Sequence, residues 1–371
     1  MRSITDKLFV LWTCYSEKKE KKWETNLLYK WSGLPSNYIQ ISDIPITDIK
    51  DDKIHCISII TGKKEALVIL PGFGASGALY YKVMKGLSEK YDLYLVDMRG
   101  MGCSGRPIFP AKTQAEAEKY IVEGIEIWRQ KMGLEKMIIC GHSLGGYMAT
   151  KYAEYYPKHV SSVLLISPAG VWKKPAEFDA KLQSIVNNSG FIKKYLFKKV
   201  NSSWVPGNSP LELLRCFGPF ATLLLNIYMR FYGSLTKSER KDVKRYIFQI
   251  LMKPGTGEYA MTHFLHPGAY GIDPLEKTLN KLNIPISIYY GTRDWVAATT
   301  PPDAQLTNPM IRQRKIKDAS HQICTDKPKE IVEKILEDLE TRPETNQLLF
   351  QSLPYKYNTR KLINFLNLNQ I

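Results

Sequence analysis

From Ile54 onward the chain settles into a repeating order of apolar runs and amphipathic stretches. IHCISII (Ile54–Ile60) alternates in the manner of a strand. ALVILPGF (Ala66–Phe73) is continuously apolar and stops at Pro and Gly, the pattern of a strand buried on both faces. Helical spacing follows over Tyr80–Lys90, and then a second buried strand, DLYLVDMRG (Asp92–Gly100). A long amphipathic helix is predicted over Glu116–Met132, with Ile121, Ile125 and Trp128 on one face. MIICGHS reads as a strand, LGGYMATKYAEYYP as a helix stopped at Pro157, and VSSVLLISPAG (Val160–Gly170) as a further strand. Strands that alternate with helices predict a parallel sheet covered on both faces.

The order breaks after residue 171. As far as residue 283 the segments are helical and carry no apolar strand. It resumes with IPISIYYGTRDW (Ile284–Trp295) as a strand, RQRKIKDASH (Arg312–His321) as a weaker one, and KPKEIVEKILEDLE (Lys327–Glu340) as a helix. The predicted organisation is one α/β domain in two parts, 41–170 and 284–340, interrupted by a helical cap over 171–283. An N-terminal extension covers 1–40, and an Asn- and Leu-rich tail covers 341–371 that packs loosely. Within the extension, EKKEKKWE (Glu17–Glu24) reads as the solvated face of a helix.

Charge changes this picture in one place. The formal net charge is +16, and Val171–Lys253 alone holds 15 Lys and Arg against 5 Asp and Glu. That excess interleaves with apolar runs such as SIVNNSGFIKKYLFKKV and GPFATLLLNIYMRFY. A basic, aromatic-rich helical cap suits contact with anionic lipid headgroups, and it equally suits a lid that closes over a pocket. No nucleic-acid motif accompanies the charge, which argues against a nucleic-acid partner. The six cysteines lie outside metal-ligand spacing, so no metal or organic cofactor is expected, and they read as free thiols. No apolar run is long enough to span a bilayer. LFVLWTC (Leu8–Cys14) is short and lacks a small-residue cleavage site. Arg2 is the one early arginine. The chain is therefore expected to be intracellular, with a mitochondrial address as the alternative.

The candidate chemistry begins at Ser143. GHSLGG follows a buried strand and opens a helix, which is the strand–turn–helix of a nucleophile elbow. Gly141 and Gly145 leave room for the turn, and Gly146 lets the helix pack close to the sheet. A serine hydroxyl needs a base, and the base needs an orienting acid. In this architecture they follow in the order acid, then His. YYGTRDW places Asp294 at a strand end, and DASHQICTD places His321 in the loop after the last strand. Asp303 and Asp318 are reserve acids. Asp97, at the end of an earlier strand, reads as a supporting residue. His142 is expected to point away from the site. An oxyanion would be met by two backbone N–H groups, from Leu144 and from Phe73 in the glycine-rich loop after ALVILPG.

With those residues in view, the chain resembles the α/β-hydrolase family. More narrowly it is similar to the branch of N-acyl-phospholipid lipases and the lipid-droplet lipase co-activator. The resemblance runs from about residue 65 to 340 and is carried by PGFGASG, VDMRGMGCSGRP, GHSLGGYMATKYAEYYPKHV, FGPF (Phe217–Phe220) and HFLHPGAYGIDPL. Pro71 stands where the family usually has His before the glycine of the oxyanion loop. The resemblance implies an α/β-hydrolase fold, a lipid substrate and a peripheral place on a membrane or lipid droplet. It implies phospholipase or lysophospholipase chemistry. It also implies an alternative acyltransferase role for an H-x-x-x-x-D pair, here His321 and Asp326. The simpler reading has Asp326 capping the helix that follows. Some members of the branch lack the serine and activate other lipases; Ser143 argues against that role. A non-catalytic accessory subunit, docked through the N- or C-terminal extension, remains the alternative of a different class.

Overall fold

The continuous apolar runs form the centre of an eight-stranded sheet in the computed structural model, which describes residues 4–342 apart from 64, 189, 191–193, 195–201, 203, 302 and 303. The strands are β1 (Gln40–Pro45), β2 (Lys53–Ile59), β3 (Ala66–Leu70), β4 (Asp92–Val96), β5 (Met137–His142), β6 (Val160–Ile166), β7 (Ile286–Gly291) and β8 (Ile311–Ile316). They lie side by side in the order β1-β2-β4-β3-β5-β6-β7-β8. β2 runs antiparallel to both neighbours, and every pairing from β4 to β8 is parallel. All residues of β3 and β5 are buried, because helices cover both faces of a parallel sheet.

Helices α1 (Ile4–Thr13), α2 (Glu17–Trp31), α3 (Tyr81–Ser88), α4 (Gln114–Lys131) and α5 (Leu144–Tyr155) precede the cap. The cap contributes α6 (Phe178–Asn187), α7 (Pro210–Cys216), α8 (Ala221–Tyr228), α9 (Lys237–Leu251), α10 (Met261–Phe264) and α11 (Glu276–Lys281). Two more close the described chain, α12 (Ile323–Asp326) and α13 (Pro328–Glu340). Ile121, Ile125 and Trp128 of α4 pack with α5 against one face of the sheet. α3 and α13 cover the other face, and α2 and α9 join their cluster through Leu27, Leu28, Tyr246 and Ile247. Capping boxes fix the starts of α4 at Thr113/Glu116 and of α9 at Thr236/Glu239.

Four local expectations change. β1, QISDIP, carries no apolar pattern; it is a largely exposed edge strand that exists because β2 offers it a ladder. β2 is buried on both faces rather than on one. β8 ends at Ile316, ahead of a turn in which Asp318 has φ 55°. The face of Glu17–Glu24 is not wholly solvated: Glu20 and Glu24 are buried, since α2 lies against α9 and β2. The tail from residue 343 and most of 189–203 lie outside the described residues.

Candidate functional site

β5 ends at His142, and α5 begins at Leu144. Ser143 alone makes the turn between them, at φ 54° and ψ −115°. That conformation costs a non-glycine residue on the order of 1–3 kcal/mol and is tolerated only where its surroundings fix it. Here they do. The Ser143 N–H donates to Ile166 O at 3.0 Å, and its carbonyl accepts from Gly146 and Ala169, each at 3.0 Å. A Cβ on Gly141 would run into the Gly145 carbonyl, and one on Gly145 would run into Leu70 O. Both elbow glycines are therefore required by close backbone approach.

The loop after β3 abuts the same turn: a Cβ built on Gly72 would stand 3.2 Å from Ser143 Cβ. Phe73 follows directly. Leu144 is the first residue of α5, so its N–H is one of those at a helix start that lack an intrahelical acceptor.

Asp294 follows β7, and His321 follows β8. His321 Nδ1 lies 3.0 Å from Asp294 Oδ1, which also accepts from the Val296 N–H at 2.9 Å. Asp294 is buried. Burial by itself raises its pKa; the charge and hydrogen bond of His321, the adjacent Ser167 hydroxyl and the Val296 N–H outweigh it and hold the carboxyl below its ordinary value. An ionised carboxylate can only accept. Nδ1 is therefore the protonated nitrogen, and Nε2 is left with a free lone pair. Trp295 flanks the imidazole, with ring centroids 5.2 Å apart. Of the reserve acids, Asp318 does not take the His321 nitrogen that Asp294 holds, and Asp303 lies outside the described residues.

His142 does not point away. Its Nε2 donates to His321 O at 2.9 Å, and the two rings stand 4.7 Å apart. Its Nδ1 accepts from Tyr80 Oη at 2.9 Å, and Tyr80 Oη itself accepts from the Gly72 N–H at 3.3 Å. One chain of hydrogen bonds therefore ties the Phe73 loop, the residue before Ser143 and the backbone of His321. Burial, and then the neighbouring His321, push His142 down to about 3, so it is a neutral strut. Tyr80 opens a stretch of helical spacing, but nothing in the sequence marks it as a partner of His142, which was identifiable only as the neighbour of Ser143.

Asp326 does not cap α13. The N-cap of that helix is Lys327, without a side-chain bond. The Asp326 carboxylate instead accepts from the Ser320 N–H at 2.8 Å and the Ser320 hydroxyl at 2.6 Å. It clamps the loop that presents His321 and does not touch the imidazole nitrogen held by Asp294. Asp97 is the supporting residue expected of it: its two oxygens accept from Gly77 N and Cys103 N, both at 2.7 Å.

No single helix among the described residues is long and apolar enough to cross a membrane. A large apolar surface is nevertheless exposed. Leu8, Leu11 and Trp12 of α1 are each more than half exposed, and so are Phe220 and Leu223 at the start of α8. The two groups adjoin: Trp12 Nε1 donates to Arg215 O at 3.1 Å, and a Cβ on Gly218 would meet the Trp12 ring. Lys244 of α9 reaches Asn226 of α8 at 2.9 Å and brings positive charge to the margin.

The chain matches the family model described as alpha/beta hydrolase fold over residues 65–328. A (lyso)-N-acylphosphatidylethanolamine lipase of Homo sapiens is 30% identical over 271 residues, 71% of this chain and 75% of that one. A 1-acylglycerol-3-phosphate O-acyltransferase of Arabidopsis thaliana is 30% identical over 237 residues; the match covers 62% of this chain and spans 55% of the plant protein. Among solved structures, naproxen esterase from Bacillus subtilis superposes with a TM-score of 0.56 at 17% identity, covering 87% of this chain and 99% of that one, a likeness of fold. This chain belongs to the α/β-hydrolase fold family, and lipid lipases and acyltransferases are among its relatives.

Proposed function

We propose that this chain is a serine acyl hydrolase that cleaves carboxylic esters of phospholipids or lysophospholipids at an anionic lipid surface. The reading rests above all on the His321–Asp294 bond, which leaves Nε2 as a base on the sheet edge where Ser143 makes its strained turn. In this mechanism Ser143 Oγ attacks the ester carbonyl and passes its proton to His321 Nε2. Asp294 holds the imidazole in register and balances its positive charge. The Leu144 and Phe73 N–H groups receive the oxyanion. His321 then protonates the leaving alcohol, and water releases the acyl group from Ser143.

The lipid-surface part of the reading is supported by the apolar patch of α1 and α8 with its basic margin. Exposed apolar area of that kind is characteristic of a partner or membrane contact. A second reading is favoured by the name of the Arabidopsis relative: a lysophospholipid hydroxyl replaces water as acyl acceptor at the same serine. Asp326 serves either reaction, as the residue that positions the His321 loop.

A fluorophosphonate probe tests the proposal. Wild type is expected to be labelled and Ser143→Ala to be blank. Unlabelled wild type, or undiminished labelling of Ser143→Ala, overturns the enzyme reading in favour of an accessory subunit. Product analysis with a diacyl phospholipid, with and without a lysophospholipid acceptor, then separates hydrolysis from transfer.

A further inference from the structure

Beyond β3 from β5, at the β1–β2–β4 corner of the sheet, a second set of reactive side chains is buried. Glu24 comes from α2, His55 from β2 and Cys103 from the loop after β4. All three are buried, and their donor atoms lie within 4.8 Å of one another. Nothing in the mechanism above uses them.

Their arrangement has the features of a ligand set. His55 is oriented from behind: its Nδ1 lies 2.8 Å from Asp43 Oδ1, which turns Nε2 inward, 3.1 Å from Glu24 Oε1. A carboxylate behind an imidazole is the usual outer support of a metal-binding histidine. Tyr246 Oη stands 3.0 Å from Glu24 Oε1 and 3.1 Å from Cys103 Sγ, and it is held in turn by Ser76 Oγ at 2.7 Å. The cluster lines a cavity of about 880 Å³ that is also lined by Glu20, Arg106 and Lys253. Glu20 is 5% exposed; its Oε2 makes no hydrogen bond and lies 3.2 Å from Lys253 Nζ.

Glu20, Glu24 and the nearby Asp97 are buried carboxylates close to this corner. A divalent ion bound there would deprotonate the Cys103 thiol and release the proton to solvent.

We infer that Glu24, His55 and Cys103 form a zinc site. A borderline-soft ion is the one that takes carboxylate, imidazole and thiolate together, at about 2.0–2.3 Å from each donor. Water from the cavity that the three residues line would complete the four ligands. Such a site ties α2 of the N-terminal segment to β2 and to the loop behind β4. It escapes any sequence motif because its donors are 31 and 48 residues apart in the chain.

The test uses the full chain with the exposed Cys14 and Cys216 changed to Ser, so that Cys103 is not confused with surface thiols. The expected results are about one zinc per chain by elemental analysis and a thiolate-to-metal absorption band on Co²⁺ substitution that is absent in Cys103→Ser. The thermal midpoint should rise by several degrees on adding Zn²⁺, and that rise should be lost in Glu24→Gln. If Cys103→Ser does not fold, the band in the folded parent decides by itself. Absence of the band, a band that survives in Cys103→Ser, or an unmoved thermal midpoint overturns the site. Fluorophosphonate labelling of Ser143 in chelator-treated protein reads the hydrolase proposal separately, since no step at Ser143 passes through this corner.

Discussion

Two histidines at the carboxyl edge of the sheet are each held by a buried carboxylate, and the difference between them separates reactivity from structure. His321 has one acid, Asp294, on Nδ1, and its Nε2 is left with a free lone pair. His55 has acids on both nitrogens, Asp43 on Nδ1 and Glu24 on Nε2. An imidazole occupied on both sides cannot serve as a general base, because a base needs one free lone pair. It can hold a structure together, as a cation between two anions or with a metal in the position where Glu24 now meets it. A histidine–carboxylate contact is thus weak evidence for catalysis until the second nitrogen is accounted for.

The largest test of that contrast is at Asp294. Asp294→Asn is expected to lower kcat by on the order of 10⁴-fold, by favouring the wrong tautomer, with a smaller change in KM. Ser143→Ala should reduce ester hydrolysis at least as far. Glu24→Ala breaks the other assembly and should appear in stability, at about 3–5 kcal/mol in denaturant unfolding, because it leaves buried charge unpaired. If Glu24→Ala instead acts on turnover alone, the division between the two corners fails.

A third test concerns pH. The folded pKa of His142, about 3, lies below its unfolded value near 6.5. Between these values the unfolded chain binds more protons, so stability is fully present above pH 6.5 and falls as the pH drops towards 3. The contribution at stake is about 5 kcal/mol. His142→Gln should flatten this part of the stability–pH curve, and an unchanged slope would remove the neutral strut from the description. Asp326→Ala should cost about 10- to 100-fold in kcat by freeing the Ser320–His321 loop, with partial recovery in Asp326→Asn, which can still accept from Ser320. The smallest effect is expected at the surface. Leu11→Glu with Leu223→Glu should weaken binding to vesicles containing phosphatidylserine about 10-fold while leaving hydrolysis of a soluble short-chain ester in place.

The inner fold was legible because parallel strands buried on both faces must be written as continuous apolar runs. β3, β4, β5, β6 and β7 all appear in the sequence for that reason. β1 was not legible: its residues are polar and partly exposed, and its pairing is supplied by β2. The charged run of α2 misled for a related reason. Lys18, Lys19, Lys21 and Lys22 lie outward as the pattern says, but Glu20 and Glu24 turn inward, where Lys253 and His55 meet them. Helical periodicity locates a face; it does not say whether charge on that face finds a buried partner.

By itself, the sequence determined the order of the inner strands and their helices, the turn at Ser143, and Asp294 and His321 at successive strand ends, because each is a local consequence of apolar patterning and glycine spacing. The tertiary structure alone decided that His142 and Tyr80 brace the His321 loop, that Asp326 holds Ser320 and not a helix start, and that Glu24, His55 and Cys103 share one corner. Most of those contacts join residues far apart in the chain; Asp326 and Ser320 are near neighbours in sequence, but there too the side chain's direction is fixed by the packing around it.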